Sequence, residues 1–294
     1  MEIFGYSIWS FVGMAVFLVL APVVGCLLAG LDRKLSARMQ GRVGPSLLQP
    51  YYDVRKLLQK EKATVNGSQD FYVLVYFVFT VLAGMAFFAG ANFLLCVFLI
   101  TLAALFLILA AYASRSPYAE LGAQRETLQV MAYEPMILLI AIGMYMATGT
   151  FGVKSVLSSE FPLIAYLPLL FVGFVFVLTI KLRKSPFDLS MSEHAHQELV
   201  RGVVTELSGS TLAMVEVSHW YETVMYLGWV AMFVMWNGGV VASVVSVVVA
   251  LVVWFVEVAI DNNFARVRWQ TMLKSSWTLA LVLGSVNLVV LLFV

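Results

Sequence analysis

Charge is scarce in this sequence. Only 12% of its 294 residues are Asp, Glu, Lys or Arg, against roughly 25% in an ordinary soluble domain. Cysteine is rarer still. Cys26 and Cys96 both lie in apolar runs, and there is no CxxC pair and no Cys/His cluster at metal-ligand spacing. An iron–sulfur cluster, nickel or structural zinc is therefore not expected in this chain. No GxGxxG or P-loop pattern opens a soluble helix, so no nucleotide is expected either. The longest stretch without an apolar run is about forty residues, too short for a catalytic domain. Disorder is excluded from the other side, since the net charge is only +1 while 62% of the residues are hydrophobic. Glu2 gives the chain an acidic start and the run after it is long, which predicts a retained first helix rather than a cleaved signal peptide.

What the chain has instead is apolar side chain in excess. Its mean hydropathy is +0.92, more than a soluble fold of this size can bury. A helix needs about 20 apolar residues to cross a ~30 Å hydrocarbon core. Eight runs qualify, at residues 8–31, 71–90, 93–112, 128–147, 161–180, 207–236, 240–260 and 275–294. The expected fold is all-α: one polytopic membrane domain over residues 1–294, with eight transmembrane helices. The sixth run carries Glu216, His219 and Glu222 and could divide near Trp220 into two short spans. Charge decides between eight and nine. With eight spans, residues 32–70, 113–127, 181–206 and 261–274 face one side and hold 17 of the 18 Lys and Arg, leaving only Lys154 opposite. The positive-inside rule makes those loops cytoplasmic and puts both termini on the outer side of the cytoplasmic membrane.

Within 32–70, Leu47, Leu48, Tyr51, Val54, Leu57 and Leu58 recur at helical spacing, with Arg55, Lys56, Lys60 and Lys62 between or after them. This reads as a cytoplasmic amphipathic helix in the membrane interface. No internal repeat is evident, unlike in many secondary transporters.

The informative residues are acids inside or beside the apolar runs: Glu134 in the fourth, Glu206, Glu216 and Glu222 along the sixth, Glu257 and Asp261 one turn apart in the seventh. An ionisable group at a helix centre costs at least ~2.5 kcal/mol and usually faces a polar interior. With His219, these acids are the candidates for an ion pathway. At 100° per residue they spiral around the helix, and Ser208-Gly209-Ser210 is the expected place for a bulge or kink that realigns them. His194 and His196 invite a metal reading, but their spacing does not suit one helix face, and a solvated or partner-facing loop is the competing reading.

Several segments then resemble a known family. Asp32-Arg33-Lys34-Leu35-Ser36-Ala37-Arg38-Met39-Gln40-Gly41-Arg42-Val43-Gly44-Pro45 is similar to the signature of the membrane subunit that carries the quinone cavity in respiratory complex I. So are Gly122-Ala123-Gln124-Arg125 with Tyr133-Glu134, and Ser185-Pro186-Phe187-Asp188-Leu189 followed by Glu198-Leu199-Val200 and Thr205-Glu206-Leu207-Ser208-Gly209. Glu216 matches a further acid of that family. The resemblance spans the whole chain. Three departures stand out: Asp32 replaces the usual Glu, residues 190–197 are inserted, and Arg266-Val267-Arg268-Trp269-Gln270 lacks an acid. Gln124-Arg125-Glu126-Thr127-Leu128-Gln129 and His194-Ala195-His196-Gln197-Glu198 look more like the Ech-type, group 4 energy-converting hydrogenases.

That resemblance implies an ion-translocating anchor for a [NiFe] hydrogenase arm, in a complex that couples ferredoxin oxidation and H2 formation to H+ or Na+ transport. It implies the [NiFe] centre and iron–sulfur clusters in partner subunits, none in this chain, and no catalytic or metal-ligating residue here. The implied partners are the hydrogenase large and small subunits, an iron–sulfur subunit, an antiporter-like membrane subunit, lipid, and ferredoxin through the complex, with no nucleic acid. Asp32, Arg33, Arg38, Arg42, Arg125, Asp188 and Glu198 would serve the arm interface. The alternatives are the quinone-site subunit of a complex I-type NADH dehydrogenase, or the homologous subunit of a formate hydrogenlyase or sulfur-reducing complex.

Overall fold

The computed structural model describes residues 2–3, 6–62, 66–192 and 199–293. After a two-residue strand pair, Glu2–Ile3 with Tyr6–Ser7, everything regular is helical. The helices are α1 (Ile8–Met39), α2 (Gln49–Gln59), α3 (Gly67–Phe88), α4 (Phe93–Ala113), α5 (Pro117–Thr148), α6 (Val153–Leu157), α7 (Leu163–Tyr166), α8 (Pro168–Lys181), α9 (Gly209–Val234), α10 (Val240–Asn263), α11 (Trp269–Leu279) and α12 (Ser285–Leu292). A π-helical turn, Ala280–Gly284, joins the last two. Among the described residues six helices are long and apolar enough to cross a membrane. Of the other two expected spans, α8 is apolar but has only 14 residues, and α9 is long enough but carries Glu216, His219 and Glu222.

Four expected boundaries are corrected. The first run continues as helix through Asp32 and Arg38, because nothing between Leu31 and Met39 breaks it. Most of the expected loop 113–127 is the start of α5, with Pro117 in its first turn, where a missing N–H costs nothing. The fifth run is interrupted between Tyr166 and Pro168. The last helix repairs that break: Asn287 Oδ1 accepts from Leu169 N at 2.9 Å and Leu170 N at 3.3 Å, while its Nδ2 donates to Tyr166 O at 2.9 Å. Ser208-Gly209-Ser210 is the start of α9 rather than a kink within it. Gly209 has φ +53°, and a Cβ there would lie 3.2 Å from the Lys60 and Glu61 carbonyls, so the close approach requires glycine.

Apolar residues cover the outside as well as the core. On α10, Val240, Val241, Val244, Val247, Val248 and Leu251 are exposed, while Ser246 and Glu257 are buried. A polar interior inside an apolar exterior is the pattern of a lipid-embedded helix. α9 runs through the middle of the bundle, packed against α1, α2, α3 and α10. Its Trp229 is fully buried, with ring centroids 4.9 Å from Phe93, 6.3 Å from Phe174 and 5.5 Å from Tyr226. A small residue lets α1 approach it: a Cβ on Gly25 would lie 2.5 Å from the Trp220 carbonyl oxygen.

The helix ends sort into two groups. Asp32 towards the end of α1, Lys184 just past α8 and Asp261 at the end of α10 meet through polar contacts described below. At the opposite end Asn92 pairs with Gly152, and Asn237 N donates to Ser159 O at 2.8 Å. Lys154 lies there, on the shoulder of Gly90.

Candidate functional site

The first polar cluster ties the helix ends together. Lys184, just past α8, forms ion pairs with Asp32 of α1 and, at 3.5 Å, with Asp261 of α10. Asp261 Oδ1 also accepts from Ser185 N at 2.8 Å. Burial alone would make the Lys184 ammonium easier to deprotonate, but the two carboxylates outweigh it and hold its pKa above the ordinary lysine value. Burial acts on Arg183 in the same sense, and the charges of Glu126 and Glu222 overcome it, so Arg183 is likewise held above its usual value. Asp188 goes the other way. Burial pushes its pKa up from 3.8 to about 6, although a hydrogen bond from Ser192 and the charges of Arg183 and Arg266 oppose the shift.

Around this cluster opens a cleft of about 1050 Å³, bounded by α1, the 182–191 segment, α9 and the end of α10. Asp32, Arg33, Asp188, Glu216, His219 and Asp261 all line it. A second hollow of about 470 Å³ beneath α2 shares Arg33, Arg201, Glu216 and His219 with it. α2 is the expected amphipathic helix, with Val54 buried and Tyr51, Tyr52 and Leu58 exposed. Arg33 fastens it, donating to Asp53 Oδ2 at 2.7 Å.

From the cleft a line of polar side chains leads into the bundle. His219 Nδ1 lies 3.2 Å from Glu222 Oε2. Tyr76 OH donates to Glu222 Oε1 at 2.9 Å. Beyond them is a small buried chamber of about 20 Å³, lined by Tyr76, Glu126, Gln129, Tyr133, Lys181, Arg183, Glu222 and Tyr226 among others. The Lys181 ammonium sits 3.5 Å from the Tyr133 ring centroid and 5.3 Å from that of Tyr226, a buried cation–π cradle. Behind the wall formed by Glu126 and Gln129, Ser190 Oγ bonds both Glu126 and Gln129 Oε1, the latter at 2.6 Å. Gln129 Nε2 donates to Phe187 O at 2.6 Å, and Arg183 faces Glu126 at 3.6 Å.

The residues expected from sequence thus fall into separate places. Glu222 and His219 belong to the inner line, and Glu216 to the cleft. Glu134, half-buried on α5, makes no hydrogen bond or ion pair among the described residues but is close enough to Lys181 and Tyr133 to act on them electrostatically. Glu206 is half-buried on the turn before α9, apart from the line. Glu257 is fully buried, and neither carboxylate oxygen has a hydrogen-bond partner among the described residues. Arg125 stacks over Trp269 at 5.4 Å. Arg38 and Arg42 are exposed, and Arg42 bonds Gln40. Glu198, His194 and His196 lie outside the described residues. Among the described residues no three of His, Cys, Asp and Glu gather as metal ligands.

Sequence reading missed Tyr76, Glu126, Gln129, Lys181, Arg183 and Lys184 as site residues. For Lys181 there was a signal: it ends an apolar run with no polar residue before it except Thr179. Tyr76 gave none, since tyrosine is ordinary in an apolar helix.

The sequence matches the NADH dehydrogenase family over residues 12–292. It is 29% identical to a subunit of the NADH-quinone oxidoreductase of Bacillus cereus (strain B4264), covering 96% of this chain and 93% of that one. It is 30% identical to the same subunit from Geobacillus kaustophilus (strain HTA426), covering 92% and 90%. It is 27% identical to hydrogenase-4 component C of Escherichia coli (strain K12), covering 92% and 91%. A chain of the membrane-bound sulfane sulfur reductase, an archaeal respiratory membrane complex, superimposes with a TM-score of 0.86 over 96% of this chain and 99% of that one, at 24% identity. That likeness is one of fold.

Proposed function

The chain belongs to the NADH dehydrogenase family, and from that premise we propose that it is the ion-translocating membrane anchor of an energy-converting [NiFe] hydrogenase. It is a membrane-embedded subunit of an oxidoreductase complex. The observation that carries the ion-translocating role is the connection His219–Glu222–Tyr76, which leads from the open cleft to the chamber around Lys181. Titratable groups in hydrogen-bond reach of one another, buried among apolar helices, are what a relay through a bilayer requires. Electron transfer stays in the partner subunits. This chain's own residues hold the partner-facing cleft and move charge between it and the bundle.

The cluster Asp32–Lys184–Asp261 is the coupling element in this reading. It joins α1, the 182–191 segment and α10 beside the cleft. A change of charge in a docked partner would shift this balance and, through Arg183, the chamber. The hydrogenase reading rests on the sequence blocks 124–129 and 194–198, since identities of 27% and 30% do not separate the two kinds of relative. The second reading is a quinone-site subunit of a complex I-type enzyme, favoured by the size of the cleft at about 1050 Å³.

One experiment tests both. The complex is purified through this subunit, its partners are identified, and ferredoxin-driven H2 evolution is measured with ion uptake in vesicles before and after quinone extraction. H2 evolution with ion uptake that survives extraction is the expected result. Activity lost on extraction and restored by added quinone would establish the second reading. Glu222→Gln, Glu134→Gln and Glu216→Gln should leave the complex assembled while ion uptake falls. Normal pumping in all three variants would refute the relay.

A further inference from the structure

We propose that the hollow beneath α2 is a binding site for one anionic phospholipid, with the lipid phosphate held by Lys56 and Lys60. This holds for either reading of the function above. The hollow, of about 470 Å³, is enclosed by α1, α2 and α9. Four cations line it, Arg33, Lys56, Lys60 and Arg201, against two carboxylates, Asp53 and Glu216. Asp53 is already engaged: Arg33 pairs with it at 2.7 Å, and Gln49 Nε2 donates to it at 3.0 Å. Lys62 is paired too, with Asp70 at 2.7 Å. Lys56 and Lys60, by contrast, form no ion pair among the described residues. They stand four residues apart, so they share one ridge of α2, and both are exposed at the rim of the hollow. Like charges at that spacing repel. A phosphate between the two ammonium groups replaces that repulsion by two charge-assisted hydrogen bonds.

The remaining lining says which kind of phosphate. Ala29, Val54, Leu57, Leu212 and Trp220 give the hollow an apolar wall. A small soluble anion makes no use of such a wall, whereas an amphiphile does. The outside of α2 continues the theme: Tyr51, Tyr52 and Leu58 are exposed, as are Leu47 and Leu48 just before it. That is the surface an interfacial helix turns towards acyl chains. Lysines on such a helix sit at the depth of the lipid headgroups, and basic pockets between spanning helices on the cytoplasmic side suit anionic ones. An acidic segment of a partner protein would match the charge but not the apolar surface beside it.

The test titrates the whole complex, delipidated in detergent, with phosphatidylglycerol and counts the lipid retained by native mass spectrometry. Phosphatidylcholine and glycerol 3-phosphate are run in parallel. Expected is one saturable phosphatidylglycerol per copy of this subunit. Lys56→Gln combined with Lys60→Gln should weaken it roughly 30-fold, or about fivefold per lysine. Both side chains are exposed, so the double variant keeps the fold. Lys154→Gln, at the opposite end of the helices, should bind as the wild type does. Equal retention of phosphatidylcholine overturns the inference, because charge is then not recognised. Equal retention of glycerol 3-phosphate overturns it as well, because the acyl chains then contribute nothing. So does unchanged binding in the double variant, an equal loss in Lys154→Gln, or a wild-type complex that retains no phosphatidylglycerol because a partner's acidic segment fills the hollow.

Discussion

Replacing Asp188 by Asn should change how the stability of this subunit depends on pH. Asp188 is 7% exposed, and burial raises its pKa from 3.8 to about 6. The folded protein therefore binds this proton more tightly than the unfolded chain does. Stability from the group is fully present below pH 3.8 and is lost as the pH rises to about 6. At 1.36 kcal/mol per pH unit, the gap amounts to about 3 kcal/mol. Asn keeps the size and hydrogen-bonding capacity but does not titrate. Asp188→Asn should match the wild type near pH 4 and become more stable than it by up to about 3 kcal/mol near pH 7. The measurement is the thermal unfolding midpoint of both complexes in detergent across that range, read as the difference between them, so that titrations elsewhere cancel. A difference that stays constant from pH 4 to 7, or that favours the wild type increasingly as pH rises, would refute the claim that burial dominates over Arg183 and Arg266 at this position.

Three further outcomes follow from the geometry. Tyr76→Phe removes one hydroxyl from Glu222 and should stop coupled ion uptake while costing about 1–3 kcal/mol, the usual cost of leaving a buried acceptor short of a donor. Ion uptake and thermal retention measured on the same sample separate the two effects. Asp32→Asn should destabilise the helix-end cluster by about 3–5 kcal/mol because Lys184 stays buried with its closer partner neutralised; Asp32→Asn combined with Lys184→Met should recover part of that in the same thermal assay. Asn287→Leu leaves the first amides of α8 and the Tyr166 carbonyl unpaired, and proteolysis at residues 166–168 should quicken, with no change expected at the cleft.

The composition determined the fold class. Sixty-two per cent hydrophobic residues with 12% charged ones cannot be arranged as a soluble domain, and the alternation of long apolar runs with basic loops set the helical order. The amphipathic spacing of Leu47 to Leu58 was enough to place α2, because a period of 3.6 is a local property. The cost of a carboxylate in hydrocarbon likewise singled out Glu216, Glu222 and His219 beside it. The alignment of those residues was another matter. Periodicity made them spiral and looked to Ser208-Gly209-Ser210 for a kink, whereas those residues begin the helix and only Glu222 and His219 touch. Their inner continuation comes from Tyr76, Lys181 and Glu126, which lie on α3, α8 and α5 and are as many as 146 residues away along the chain. Nothing local marks such a set, because contacts between helices depend on which faces pack together. The same holds for Asn287, whose reason for being polar in an apolar helix is a break in the chain more than a hundred residues earlier. Sequence alone could single out the acids inside the apolar runs, but packing chose their partners.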